Sequence, residues 1–265
     1  MTHAELEAIC VAAAEAGAER LRTLFGKPRE IARKGRVDLV TDADRASEER
    51  VLALLRERAP GVAILAEESG EIGKGDLRFI VDPLDGTTNY AHGIPLFTCT
   101  VAAEVEGVPV AGCTIDPMRD ETYRAHRGGG AFLNGARLRV SRAAHLIDSV
   151  VCTGFPYEKG ERLGELIAAF GRFTRAAQGT RRLGSAALDL AYVAAGRLDV
   201  FYEKGLAPWD LAAGIVLVEE AGGVATRYDG SRADPAGGEV VACTPALATE
   251  VRGILAESRA RPWQP

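Results

Sequence analysis

The sequence predicts an α+β fold in which helices and sheets stack as alternating layers. Three features carry that prediction. Residues 4–25 hold apolar side chains at helical spacing. Three strand-like runs, FTCTVAAEV, VPVAGCTI and ETYRAH, fill 97–126 with only Gly107 and the Asp116-Pro117 turn between them, as antiparallel neighbours require. Beyond about residue 146, helical and strand-like segments alternate. The chain is long enough for one domain or two closely packed lobes, and the change of pattern places the lobes at 1–145 and 146–265.

Taken in order, the first helix carries Leu6, Ile9, Cys10, Ala13, Ala16, Leu21, Leu24 and Phe25 and ends at Gly26 and Pro28. Residues 31–40 are strand-like on either side of Lys34-Gly35. Thr41-Asp42-Ala43-Asp44 then opens an amphipathic helix through Val51, Leu52, Leu54 and Leu55 that stops at Pro60-Gly61. Thr41 or Asp42 is the expected N-cap, with one acid capping and another left for chemistry. A short strand at 62–66 runs into Glu67-Glu68-Ser69. Phe79-Ile80-Val81 is a buried strand that Asp82 closes, because Pro83 lacks the next ladder donor and Asp85-Gly86 is a turn signal.

Gly128-Gly129-Gly130 lacks the lysine and helix start of a phosphate loop, so a hairpin is expected there, and Asn134-Gly135 makes another tight turn. The second half reads as a strand at 148–153, a helix at 161–173, and a helix opened by Gly184-Ser185-Ala186-Ala187 and running to Ala195. A strand at 199–202 leads into Glu203, and a helix from Trp209-Asp210 ends at Gly222-Gly223. Strands at 224–227 and 240–243 and a helix at 246–257 complete the fold, with a frayed tail, RARPWQP, after it.

Composition narrows the function. A net charge of −5 and no basic run longer than Arg181-Arg182 argue against general nucleic-acid binding. Five scattered cysteines without a C-x-x-C suit buried, reduced thiols in a cytoplasm, not a disulfide frame or a zinc site. No segment approaches about 20 consecutive apolar residues. A cytoplasmic protein that does not enter a membrane is expected.

The informative residues are acids. Glu67 closes one strand, Asp82 and Asp85 another, and Asp210 starts a distant helix, where an acid is often only a cap. Carboxylates gathered at neighbouring strand ends repel unless a cation lies among them. A hard divalent ion such as Mg²⁺ takes oxygen ligands of this kind, and no histidine or cysteine cluster competes for a softer metal. His92 is read as a loop residue.

Four motifs, TDAD at 41–44, AEES at 66–69, DPLDGTTN at 82–89 and PWDLAAG at 208–214, together resemble the inositol monophosphatase family, and GSAALDLAYVAAGRLD at 184–199 resembles its bacterial members. The resemblance covers about residues 34–244. It implies a single phosphatase unit with an αβαβα sandwich of the sugar-phosphatase type, a metal- and phosphate-binding lobe and a substrate lobe. It further implies that Glu67, Asp82 and the Leu84 carbonyl hold a first Mg²⁺, that Asp82, Asp85 and Asp210 hold a second, and that Glu67 serves a looser third. Gly86 and Thr87 would receive the phosphate on backbone N–H groups. Thr87, paired with Asp44, would position a metal-activated water for in-line attack. Gly184, Ser185, Ala186 and Glu203 match the positions that contact the sugar or cyclitol, and Lys34 resembles a basic residue near the metals, with no catalytic role expected for it.

The activity so implied is Mg²⁺-dependent hydrolysis of inositol 1-phosphate or a similar polyol phosphate. Histidinol phosphate, fructose 1,6-bisphosphate and 3′-phosphoadenosine nucleotides are open alternatives on the same scaffold. The resemblance also implies a homodimer and inhibition by Li⁺. A haloacid-dehalogenase-type reading fails on spacing, since Asp82-x-x-Asp85 is one residue longer than that class's D-x-D. A regulatory partner of the transcription machinery that keeps the fold is the non-enzyme reading, and the intact set Asp44, Glu67, Asp82, Asp85, Thr87 and Asp210 argues for activity instead.

Overall fold

The computed structural model describes residues 1–27, 31–33, 39–156 and 163–264. Helix α1 (His3–Leu24) opens the chain, capped by Thr2. Strands β1 (Ile31–Arg33) and β2 (Leu39–Thr41) pair antiparallel, and α2 (Asp42–Arg58) follows directly. Then come β3 (Ala63–Ala66), β4 (Gly70–Ile72), β5 (Leu77–Asp85) and the short α3 (Thr87–Ala91). Strands β6 (Thr98–Val105), β7 (Val108–Asp116), β8 (Glu121–His126), β9 (Gly130–Leu133) and β10 (Ala136–Arg137) form a meander. The second half contains β11 (Val150–Thr153), α4 (Leu163–Ala176), β12 (Gly179–Arg181), α5 (Ala186–Ala194) and β13 (Val200–Lys204). It closes with α6 (Pro208–Glu220), β14 (Val224–Thr226), β15 (Glu239–Cys243) and α7 (Ala248–Ala260).

Two sheets organise these elements. The larger, in the order β10-β9-β8-β7-β6-β5-β3-β4, is antiparallel except where β3 runs parallel to β5. The smaller is β12-β11-β13-β15-β14. Helices α1 and α2 cover one face of the large sheet, burying Leu6, Cys10, Val51 and Leu55 against Phe79, Val81 and Val101. Helices α5 and α6 lie between the sheets, where Leu190, Leu211 and Ile215 meet Tyr123 and Ala125 on one side and Phe201 and Val240 on the other. Helices α4 and α7 cover the far face of the small sheet through Phe173, Val251 and Leu255. The result is the αβαβα sandwich.

Helix α6 shows why the middle layer can exist. Its residues from Leu211 to Val218 are all buried, as a helix apolar on every side must be. Gly112 on β7 lets it approach, because a Cβ there would stand 2.6 Å from the Ala213 Cα. Among the described residues no helix is long and apolar enough to cross a membrane, and all five cysteines are free and buried.

The structure departs from the expected elements in four places. Strand β5 does not stop at Asp82 but continues through Pro83 to Asp85. Its register against β6 slips there, with Asp82 opposite Thr100 and Asp85 opposite Thr98, so Pro83 occupies a bulge where no ladder donor is needed. Asp148 belongs to a 3₁₀ turn and the strand starts at Val150. The short strands β4 and β12 carry too few residues to show a period. Of the tail expected to fray, Arg259 and Ala260 belong to α7, and the Trp263 N–H donates to the Gly164 carbonyl at 2.9 Å, docking that residue on α4.

Candidate metal centre and substrate cleft

The bulge in β5 turns Asp82 and Asp85 toward the same place. Asp82 is buried, its Oδ1 accepting from the Leu84 N–H at 3.0 Å. Glu67 follows β3, and its N–H donates to the Val81 carbonyl at 3.1 Å, so it stands beside Asp82 across a parallel strand pair. Asp210 arrives from the first turn of α6. One carboxylate oxygen from each of Asp82, Asp85 and Asp210 lies within 4.8 Å of the others. Like charges at that range raise one another's proton affinity. Burial, followed by the charges of Glu67, Asp85 and Asp210, pushes Asp82 well above the usual carboxylate range. Burial and then Asp85 do the same to Asp210. Oxygen donors this crowded and this poorly compensated fit a hard divalent cation.

The acids also hold helices. Asp210 Oδ2 accepts from the Ala207 N–H at 2.7 Å, closing the first turn of α6. Asp85 Oδ2 accepts from the Ser185 hydroxyl at 2.5 Å and the Ala187 N–H at 2.7 Å, across the start of α5. These bonds oppose the effect of burial, which still raises the Asp85 carboxyl. Asp44 is fully buried and completes a capping box on α2, its Oδ2 accepting from Thr41 N–H at 2.7 Å and Thr41 Oγ1 at 2.6 Å. Its other oxygen accepts from Thr87 Oγ1 at 3.1 Å. Thr41 is therefore the N-cap, and a single acid of the TDAD cluster both caps and reaches the site, where two acids with separate duties were expected.

The Thr87 hydroxyl faces two acceptors, Asp44 and the Leu84 carbonyl, each at 3.1 Å, with one hydrogen to give. Gly86 before it has φ +95°, and a Cβ there would meet the Leu96 carbonyl at 3.0 Å, so only glycine makes this turn without strain.

A cleft of about 240 Å³ opens over the acids. Glu67, Asp82, Leu84, Asp85, Gly86 and Thr87 line it from the first half of the chain, and Gly184, Ser185, Ala186, Glu203 and Asp210 from the second. Asp44 is not on its surface but lies behind Thr87, and Lys34 falls outside the described residues. Glu203 sits buried at the end of β13; burial, then the charges of Asp189 and Asp85, pushes its carboxyl up to about 8, against the pull of Arg182.

Sequence reasoning missed several lining residues. Arg182 is an exposed cation at the rim, passed over in the sequence because two adjacent arginines make no run. Phe155, Pro156, Leu206 and Trp209 give the cleft an apolar wall. Asn89 joins the halves, its side-chain amide donating to the Leu96 and Leu183 carbonyls at 2.7 and 2.8 Å.

A layered α+β sandwich that gathers acids at the floor of a cleft suits a phosphoric monoester hydrolase, and the chain's family and relatives show it to be of that class. The sequence profile of the inositol monophosphatase family matches residues 3–260, and the chain belongs to that family. A Synechocystis protein described as inositol-1-monophosphatase is 43% identical over 254 residues, 95% of this chain and 88% of its own. Escherichia coli Nus factor SuhB is 42% identical, covering 87% of this chain and 86% of its own. The inositol monophosphatase structure from Anabaena superposes with a TM-score of 0.86 at 38% identity, over 95% of both chains.

Proposed function

We propose that the chain hydrolyses inositol 1-phosphate (myo-inositol monophosphate), or a closely similar polyol phosphate, to the free alcohol and phosphate in a Mg²⁺-dependent reaction. The observation that carries this reading is that the Asp82–Asp85–Asp210 oxygens share one cleft with Glu203 and the start of α5. Two Mg²⁺ ions, with a looser third at Glu67, would be held by Glu67, Asp82, the Leu84 carbonyl, Asp85 and Asp210. When bound, the ions stabilise charge on the transferring phosphoryl group and leaving alkoxide and make water nucleophilic at neutral pH.

The remaining work falls to the chain's own groups. Backbone N–H groups at Gly86 and Thr87 receive phosphate oxygens. The Thr87 hydroxyl, held between Asp44 and the Leu84 carbonyl, orients the attacking water along the line to phosphorus. Asp44 accepts from that hydroxyl, so the hydroxyl's lone pairs turn toward the water. Glu203 and the backbone of Gly184, Ser185 and Ala186 take the ring hydroxyls, and the apolar wall at Trp209 and Leu206 covers the ring's C–H face.

A substrate panel with and without Mg²⁺ tests the proposal, using inositol 1-phosphate, histidinol phosphate, fructose 1,6-bisphosphate and a 3′-phosphoadenosine nucleotide. Inositol 1-phosphate should give the highest kcat/KM and need the metal. A wide preference for histidinol phosphate, the closest rival, would replace it. A cytoplasmic homodimer inhibited by Li⁺ belongs to the same proposal. A regulatory reading is favoured by the relatives described as Nus factor SuhB. It prevails if no sugar phosphate is hydrolysed while Asp82→Asn retains the cellular phenotype.

A further inference from the structure

Helix α2 does more than carry Asp44. Residues three and four positions apart share a helix face, and Asp44, Ser47 and Glu48 stand in that relation. All three are buried, and each bonds to a different segment of the site. Asp44 takes the Thr87 hydroxyl. The Ser47 hydroxyl donates to the Pro83 carbonyl at 2.8 Å, in the bulge between Asp82 and Asp85. Glu48 Oε2 accepts from the Glu68 N–H at 2.9 Å, and its Oε1 accepts from the Ser69 hydroxyl.

Glu48 is the informative member. A buried carboxylate is costly unless its oxygens are matched by donors, and here both oxygens are matched by the two residues that follow Glu67. Among the described residues no ion pair involves it. The Glu67 backbone is thus pinned from two sides, by its own N–H on β5 and by the next N–H on α2. The helix is itself fixed by Val51, Leu52 and Leu55 in the core.

We propose that Glu48 is a positioning residue that holds the Glu67 carboxylate at the metal centre through Glu68 and Ser69, with Ser47 doing the same for the Asp82–Asp85 bulge. One face of α2 then sets the spacing of three segments distant in sequence. The inference rests on the proposed metal site. Partners that orient a metal ligand typically change metal affinity or activity by 10–100-fold when removed.

The test is a calorimetric Mg²⁺ titration of metal-free protein, alongside kcat and the Mg²⁺ half-saturation of turnover, for Glu48→Ala, Glu48→Gln and Ser69→Ala. Glu48→Ala should weaken Mg²⁺ binding by about 10–100-fold while kcat at saturating Mg²⁺ falls by less than about tenfold. Glu48→Gln should stay near wild type, because its carbonyl can accept from the Glu68 N–H and its amide can donate to Ser69 Oγ. Ser69→Ala, which loses one bond of the two, should fall between. Unchanged Mg²⁺ affinity in a folded Glu48→Ala overturns the inference, as does a Glu48→Gln variant no better than Glu48→Ala. If Glu48→Ala does not fold, unchanged affinity in Ser69→Ala overturns it instead. A wild-type protein that binds no Mg²⁺ overturns the metal-site reading itself, a result distinct from any of these.

Discussion

Replacing Asp82 with asparagine should act in opposite directions on stability and on catalysis. In the metal-free protein Asp82 is a buried carboxyl facing Glu67, Asp85 and Asp210. Two full charges at 4.8 Å, the outer limit for these oxygens, repel by about 3.5 kcal/mol at an effective dielectric constant of about 20. Protonation relieves part of that, so a net relief of about 1–3 kcal/mol remains at neutral pH for Asp82→Asn. Asparagine keeps an oxygen for the Leu84 N–H, so the local turn is preserved. For a chain of this size about 2–4 °C accompanies each kcal/mol, giving a rise of about 2–12 °C in the metal-free melting temperature. Mg²⁺ should stabilise the wild type by about 2.7 kcal/mol at 100 times its dissociation constant. The variant should show little such shift and almost no turnover. Thermal scans in chelator and in excess Mg²⁺, with phosphate-release assays, check all three. A variant that melts lower than wild type in chelator, or keeps the full Mg²⁺ shift, refutes the reasoning.

Other outcomes follow from single contacts. Glu203 holds its proton up to about 8 in the folded protein against about 4.5 for a free glutamate, so its contribution to stability is complete below about 4.5 and is lost as pH rises through about 8. Metal-free Glu203→Gln should therefore gain on wild type in melting temperature between about pH 5 and pH 9, and a constant difference would refute this. In turnover the related Glu203→Ala should blur discrimination among substrates while slow hydrolysis of generic phosphate esters survives. Asn89→Ala removes two bonds, of which the one to the Leu183 carbonyl ties the halves of the cleft, and should cost about 1–3 kcal/mol in denaturant unfolding, with KM rising more than kcat falls. Arg182→Ala should raise KM several-fold without moving the Mg²⁺ half-saturation, since the side chain lies at the rim; a shifted metal response would place it elsewhere.

Much of the fold was legible because its signals are local. Helix spacing in α1, the meander of β6, β7 and β8, and the opening of α6 at Trp209-Asp210, one residue inside its Pro208 start, are written within single elements. The strand-end acids could be read too, because a sharp turn bearing Asp82, Asp85 and Gly86 is an odd thing to bury. What escaped depends on distant partners. Pro83 looks like a strand stop until Ser47 is seen holding its carbonyl in a bulge. Asp44 looks like a cap or a site residue until both of its oxygens are counted. Glu48 reads as one more surface acid on an amphipathic helix, and Asn89 as part of a turn, because their partners lie 20 and 94 residues away. Arg182 carries no local pattern at all.

The helix-capping duty of Asp44, Asp85 and Asp210 bears on how such a chain would change under drift. A descendant released from catalysis would still lose helix stability on replacing any of the three, so purifying selection on folding alone would retain them. Among the described residues Asp82 caps no helix, and both it and Glu203 are costly to bury as carboxylates, so these two are the first positions expected to vary. In this family, a lapsed phosphatase should be recognised by what has happened at Asp82 and Glu203, while Asp44, Asp85 and Asp210 still look intact.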